Sequence, residues 1–357
     1  MKYILKKFYK IIIIKIFKSI YGHIQLNKNP NSITEFKVIN KLFNSKKYSV
    51  YLLDNGIVYT DNVQNVSAIN NNKLHIKPSF IHSKDKIISP KYSPVLRTGL
   101  TNFRKTYNGN VLSLVQGAST ENYFHWLMDI LPKIKIFSSK FPISQIDYFY
   151  LGRLTLSQRQ SLKYIGIKSS QIINSRKYKH ILAKKLFFVT HPWYTKGKFH
   201  DHSLNLPKWQ VFWLKKKFIR FKSKFKISKK IYIDRSDSKF SHCQIINNLE
   251  LKKYLIKKKF KIIKLSNLSF SKQIFIFWNA NFVIGAHGAG LTNLVFCRPK
   301  TKVIEFKPFG HFGKYFQTIS KLNKLNYNSI VSKKKYFNKE NGDIFVDLKK
   351  LDKIIRT

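Results

Sequence analysis

The architecture follows from one stretch, Phe282-Val-Ile-Gly-Ala-His-Gly-Ala-Gly-Leu-Thr-Asn-Leu-Val-Phe296. An apolar run ends at Gly285, a glycine-rich turn follows, and a second apolar run starts at Ala289. Three of the chain's 14 glycines lie between positions 285 and 290. This order predicts a strand, a tight turn and a helix. In such a turn backbone N–H groups face outward, and the helix start adds partial positive charge, which together make a seat for phosphate. The spacing is Gly-x-x-Gly-x-Gly, which is not the dinucleotide fingerprint. His287 sits on the turn, where it can donate to a diphosphate or sugar oxygen, and Thr292 and Asn293 fall in the first helical turn. A strand–helix turn that holds no ligand would read the same way.

Around this stretch, strand and helix patterns alternate. Lys230-Ile-Tyr-Ile-Asp234 reads as strand, 247–258 as helix, Phe260-Lys-Ile-Ile-Lys264 as strand, 269–280 as helix and Lys302-Val-Ile-Glu-Phe306 as strand. That is a Rossmann-type half with a parallel sheet. Upstream, strands are predicted at 111–116, 147–151 and 186–190, with the turn Gly117-Ala-Ser-Thr120 after the first and helices from Asn122 and over 157–165. Residues 19–110 read as short strands and loops with weak organisation. The expected fold is therefore α/β, with two Rossmann-like domains facing each other. The expected division is a basic amphipathic segment over 1–20, a domain over 21–225 and a second domain over 226–357, with the boundary in the lysine-rich 222–230 stretch.

Glu121-Asn-Tyr-Phe-His-Trp-Leu-Met-Asp-Ile-Leu-Pro-Lys133 is too apolar to face water on all sides. His125 and Asp129, spaced i, i+4, share one helical face. A carboxylate accepting from one imidazole nitrogen raises the basicity of the other, which is how a histidine becomes a general base. A buried His–Asp pair that only holds the core would show the same spacing. Pro132 should distort the helix or start one there. Arg235 ends a strand, where it could clamp a diphosphate with two bonds. Glu305, late in its strand, could accept from a sugar hydroxyl or pair with a lysine. His200-Asp-His202 has the spacing of metal ligands on a strand face, but no third ligand is evident nearby, so no metal is expected.

The chain has 357 residues, 68 Lys+Arg and 16 Asp+Glu, for a net charge of +52. Only nine of the cations are Arg, and the lysines are scattered. Nucleic-acid readers favour Arg for its planar fork. Lys, Ile and Asn are the residues of A+T-rich codons, so a biased genome accounts for the composition, and nucleic-acid binding is the lesser reading. A hydrophobic fraction of 43% excludes wholesale disorder. Two cysteines exclude a disulfide framework. No apolar run reaches the length of a membrane span. The first eighteen residues, Met1 to Lys18, predict a basic helix that either lies on an anionic membrane or packs on its own domain. Lacking a secretory signal, the protein is expected in a cytoplasm, peripheral to the inner membrane face, or in an organelle stroma such as a plastid's.

His125-Trp-Leu-Met-Asp-Ile-Leu-Pro132 resembles the His-Trp-Leu-x-Asp/Glu-x-Leu-Pro segment of family 61 glycosyltransferases, a group that includes capsular polysaccharide biosynthesis proteins. Gly285-Ala-His-Gly-Ala-Gly-Leu-Thr-Asn293 with Val303-Ile-Glu-Phe306, Ile231-Tyr-Ile-Asp-Arg235 and Phe270-Ser-Lys-Gln273 resemble further elements of that family. The resemblance covers about residues 110–310. It implies a GT-B type enzyme that transfers a sugar with inversion from a nucleotide sugar, a UDP-sugar in the first instance, to a glycan or lipid-linked glycan acceptor, with no cofactor or metal required. It assigns His125 and Asp129 to the acceptor side, and Arg235, His287, Gly288, Gly290, Thr292, Asn293 and Glu305 to the donor side. The chain departs from the family at Cys243-Gln-Ile-Ile-Asn-Asn248, where many members carry Arg-Arg-x-x-Asn-Glu. A catalytically inactive relative is the alternative that this departure raises.

Overall fold

A computed structural model describes residues 2–29, 32–44, 46–61, 65–83, 86–116, 121–193, 197–198, 200–220, 228–238, 242–311, 313–335 and 342–356. The predicted turn at 117–120 and most of the predicted 222–230 boundary lie outside them. The chain forms two compact units, residues 1–155 with 166–199, and residues 156–165 with 200–357.

The first unit is built on an eleven-stranded mixed sheet. At its centre Tyr48–Thr60 pairs antiparallel with His180–Val189. Arg104–Ser113 runs parallel to His180–Val189, and Tyr148–Leu151 and Ile172–Asn174 continue the parallel side. On the other flank Val66–Asn70, Lys73–Ser83 and Lys86–Ile88 form an antiparallel meander. The Rossmann-like reading of this half therefore holds for the parallel side alone. Local chemistry made the difference. Asn71 and Asn72 both take positive φ and close a two-residue hairpin, which forces its strands antiparallel. Asp54-Asn55-Gly56 reads as a break, yet Tyr48–Thr60 runs through it with Asn55 at φ 47°. Both flanks pair with the same strand, so the ladder carries across. Val58, Val111, Ile181 and Leu186 fill the core against this sheet.

The second unit carries a five-stranded parallel sheet in the order Lys261–Ile263, Lys230–Ile233, Phe282–Ala286, Lys302–Lys307, Asn326–Val331. Here the predicted alternation is observed nearly residue for residue. Tyr232, Ile284, Ile304 and Ile330 pack with Leu251 and Leu255 of the helix Asn248–Lys257. Two helices, the one predicted over 157–165 and a further one over Lys208–Phe218, join this unit rather than the first. In Leu156–Tyr164, Gln160 Oε1 accepts from the Phe270 amide at 2.7 Å. In Lys208–Phe218, Lys215 Nζ donates to the Cys297 carbonyl at 2.8 Å and to Asn323 Oδ1 at 2.6 Å. Such contacts bridge about a hundred residues of chain, so composition does not reveal them. His200–Leu204 is a 3₁₀ turn and not the strand on which the metal reading of His200-Asp-His202 depended. The departing segment at 243–248 docks on the C-terminal region: Ile245 bridges Ile344, and the Asn247 side chain bonds the Val346 carbonyl and amide at 2.9 and 3.0 Å.

Candidate active site

In the first unit, Asn122 caps a helical segment by accepting from the Phe124 amide at 2.9 Å. Trp126–Ile130 then widens into a π turn before Leu131–Ser138 resumes as α-helix. Pro132 explains the widening. It lacks an N–H, and its ring collides with the carbonyl four residues back in a regular helix. The segment holds Asp129 fully buried, with Oδ2 2.7 Å from His125 Nδ1. Trp193 Nε1 donates to the other carboxylate oxygen at 2.6 Å, and His191 Nε2 stands 3.7 Å from Oδ2. A carboxylate only accepts, so Nδ1 of His125 carries its proton and Nε2 is the basic atom.

Burial alone would raise the Asp129 pKa, but the fields of His125 and His191 and their hydrogen bonds outweigh it, and the carboxyl is held below its ordinary value. Burial pushes Lys133 down to about 7 against the pull of Asp129. Burial likewise pushes His191 down to about 4, again opposed by Asp129. At neutral pH the centre is thus an ionised Asp129 beside a neutral His191. A cavity of about 200 Å³ lies beside it, lined among others by Ser113, Val115, Phe80, Lys133 and His191.

In the second unit, Phe282–Ala286 leads through His287-Gly288 into a 3₁₀ helix, Ala289–Phe296. His287 Nδ1 lies 2.6 Å from Glu305 Oε1. Tyr327 donates its hydroxyl to Glu305 Oε2, and Lys307 Nζ stands 3.9 Å from the same oxygen. The His287 ring packs on His311, centroids 3.8 Å apart, and on Phe316 at 5.1 Å. Arg235 donates through Nη1 to the His287 carbonyl. A Cβ on Gly288 would overlap the Arg235 guanidinium, so this glycine is there for close approach. Gly290 is similar, with a Cβ meeting Leu265 Cδ1 at 2.9 Å.

The structure therefore gathers the expected residues into two groups, His125 with Asp129, and Arg235, His287, Gly288, Gly290, Thr292, Asn293 and Glu305 around one turn. Within the second group the side chains divide. Thr292 and Asn293 are fully buried and brace the turn: Thr292 Oγ1 donates to the Ala289 carbonyl at 2.7 Å, and Asn293 Nδ2 to the Gly290 carbonyl at 3.2 Å and Gln273 Oε1 at 3.1 Å. Glu305 is 1% exposed and stands behind His287. Cys243, in the departing segment, is buried with its thiol pushed up to about 11, by burial first, though the adjacent Arg235 opposes the rise. The sequence reading missed His191, Trp193, Lys133, His311 and Tyr327. The one available signal was Trp193: a tryptophan that follows an apolar strand needs a partner for its N–H once buried.

A family model described as Glycosyltransferase 61 matches residues 123–304, just over half of the chain. The match includes His125, Asp129, His191, Trp193, Arg235 and the whole 285–293 turn, and it ends before Glu305. The chain is also similar to the Beta-1,2-xylosyltransferase RCN11 of Oryza sativa subsp. japonica, 38% identical over 65 residues. That stretch spans 18% of this chain and only 12% of the rice protein. Because the family match covers more than half of the chain and contains both His125 and His287, the chain belongs to glycosyltransferase family 61.

Proposed function

We propose that the protein is an inverting glycosyltransferase of the GT-B class that moves a sugar from a nucleotide-sugar donor to a glycan or lipid-linked glycan acceptor. In this reading the first unit serves the acceptor and the second the donor. The acceptor hydroxyl oxygen forms its bond to the sugar's anomeric carbon as the bond from that carbon to the diphosphate oxygen breaks. The hydroxyl proton passes to His125 Nε2, and the nucleoside diphosphate leaves. Asp129 holds the imidazole in the tautomer this step needs, and Trp193 holds Asp129. At the 285–293 turn, backbone N–H groups and His287 receive the charge that builds on the leaving diphosphate, and preorganised donors lower the barrier there. Glu305 orients His287, while Arg235, Thr292 and Asn293 fix the turn. No metal has a role in this scheme.

The observation that carries the reading is the carboxylate-bound histidine in each half of the matched region, His125 on Asp129 and His287 on Glu305. A thermal-shift panel of nucleoside diphosphates and their sugars, with a xylosyl donor included, tests it at about 0.3 M salt, where surface charge is screened. Pyrophosphate and single-stranded DNA are the charge controls. A shift with one nucleoside diphosphate that exceeds pyrophosphate supports a donor site and names its base. Equal shifts with every polyanion would refute the donor site and favour an inactive relative or a nucleic-acid binder.

A further inference from the structure

The helix Lys2–Tyr21 has two apolar faces, and only one of them is used. Its inner face carries Phe17, 6% exposed, flanked by the half-buried Ile13, Ile14 and Tyr21. Tyr21 packs edge-on against His180 at 4.8 Å, and its hydroxyl accepts from the Arg104 amide at 3.1 Å. Leu5, Tyr9, Ile12, Ile16 and Ile20, joined by Phe8, form a second stripe, turned roughly 130° around the helix from the first and at the three- and four-residue steps of one helical face. Leu5, Phe8 and Tyr9 are each more than 60% exposed. Phe103, 79% exposed, extends the apolar surface where its ring meets Phe17 at 5.0 Å. A surface helix of a soluble protein normally turns a polar face outward, and a continuous apolar stripe marks a docking surface.

We propose that this outer face docks the protein on a membrane surface bearing anionic lipid. Charge selects the occupant. The helix sequence contains Lys2, Lys6, Lys7, Lys10, Lys15 and Lys18 and no acidic residue. Apolar side chains entering the headgroup–acyl boundary, with lysines at the lipid phosphates, match that composition. A second copy of the chain is a poor occupant, because two-fold pairing of this face would set lysines against lysines with no carboxylate on either helix. No helix among the described residues is long and apolar enough to cross a membrane, so the contact lies in the plane of the surface. The proposal does not rest on the transferase reading.

Co-sedimentation of the full chain tests it, using vesicles of phosphatidylcholine with about one-third phosphatidylglycerol in about 0.3 M salt. The full chain should sediment, and the variant carrying Phe8→Ser, Ile12→Ser and Ile16→Ser should partition about a hundred-fold more weakly. Vesicles of phosphatidylcholine alone should bind the full chain about tenfold less or weaker. Equal sedimentation of the triple variant would overturn the proposal, and so would a vesicle-indifferent dimer that the triple variant turns into monomer. Both native cysteines, Cys243 and Cys297, are buried, so a nitroxide at Ile12→Cys labels one site. On vesicles that label should become accessible to oxygen and shielded from a nickel chelate. A label indifferent to vesicles would overturn the proposal even if the triple variant failed to fold.

Discussion

Replacing Asp129 by Asn tests the first cluster most sharply, because the change keeps the shape and removes one acceptor. Asp129 accepts from His125 Nδ1 at 2.7 Å through one oxygen and from Trp193 Nε1 at 2.6 Å through the other. Asn offers one oxygen and one NH₂ group. If the oxygen stays with His125, the NH₂ points at the indole N–H, donor against donor. If the oxygen turns to Trp193, the NH₂ faces His125, whose Nδ1 must then accept, and the proton moves to Nε2. The second arrangement leaves every donor paired, so it should prevail. It removes the basic nitrogen, and a general base is worth about 10²–10⁴ in rate. Two charge-assisted bonds in a fully buried setting become neutral, so the variant should lose about 3–5 kcal/mol of stability. The folded-state pKa of Asp129 is lowered, so that stabilisation is fully present above the ordinary carboxylate value of 3.8. It is lost as pH falls through the folded value, and the stability gap between wild type and variant should narrow in acid. Nitrogen-15 shifts of His125 report the tautomer directly, without substrate. Adding Trp193→Phe removes the indole donor, so the Asn oxygen can return to His125. The double variant should regain about tenfold in turnover over Asp129→Asn alone, and regain the Nδ1–H tautomer, while being no more stable. If His125 keeps its tautomer in the single variant, or the double variant is no faster, the account of this centre is wrong.

Three further outcomes are expected. Gly288→Ala should push the Arg235 guanidinium, the flexible end of its side chain, off the His287 carbonyl and cost about 1 kcal/mol, the worth of one hydrogen bond, seen as a lower unfolding midpoint; an unchanged midpoint would remove the close-approach role of this glycine. Lys133, with a folded pKa lowered to about 7 by burial, makes the unfolded chain the better proton binder between about pH 7 and its ordinary 10.5. Wild-type stability relative to Lys133→Met should therefore rise across that window, and denaturant titrations giving a flat difference would contradict it. Asn293→Ala removes the brace from Gln273 and the Gly290 carbonyl, so the Michaelis constant for the donor should rise several-fold with a smaller change in turnover; an unaltered constant would place donor binding elsewhere.

What the sequence determined by itself was local. The strand–turn–helix at 282–296, the parallel alternation of the second unit and the His125–Asp129 pair depend on residues within a few positions or one strand–helix repeat of each other, where period and turn chemistry are readable. Tertiary structure decided which distant groups complete each cluster. Arg104–Ser113 and His180–Val189 are parallel neighbours, so the chain leaves both at the same end of the sheet. That brings Trp193 to an Asp129 that lies 64 residues earlier. In the second sheet, Gly285 pairs with Glu305 and Glu305 with Ser329, so the residue two positions before Ser329, Tyr327, shares the face of Glu305 and reaches its carboxylate. The register also turned Glu305 inward, where it meets His287 as well as a lysine, Lys307. At the N-terminal helix the sequence showed apolar residues and lysines, and only packing revealed which apolar face the first unit covers and which it leaves to solvent. Strand order and register are set by burial summed over whole sheets, and no short window of residues contains that sum.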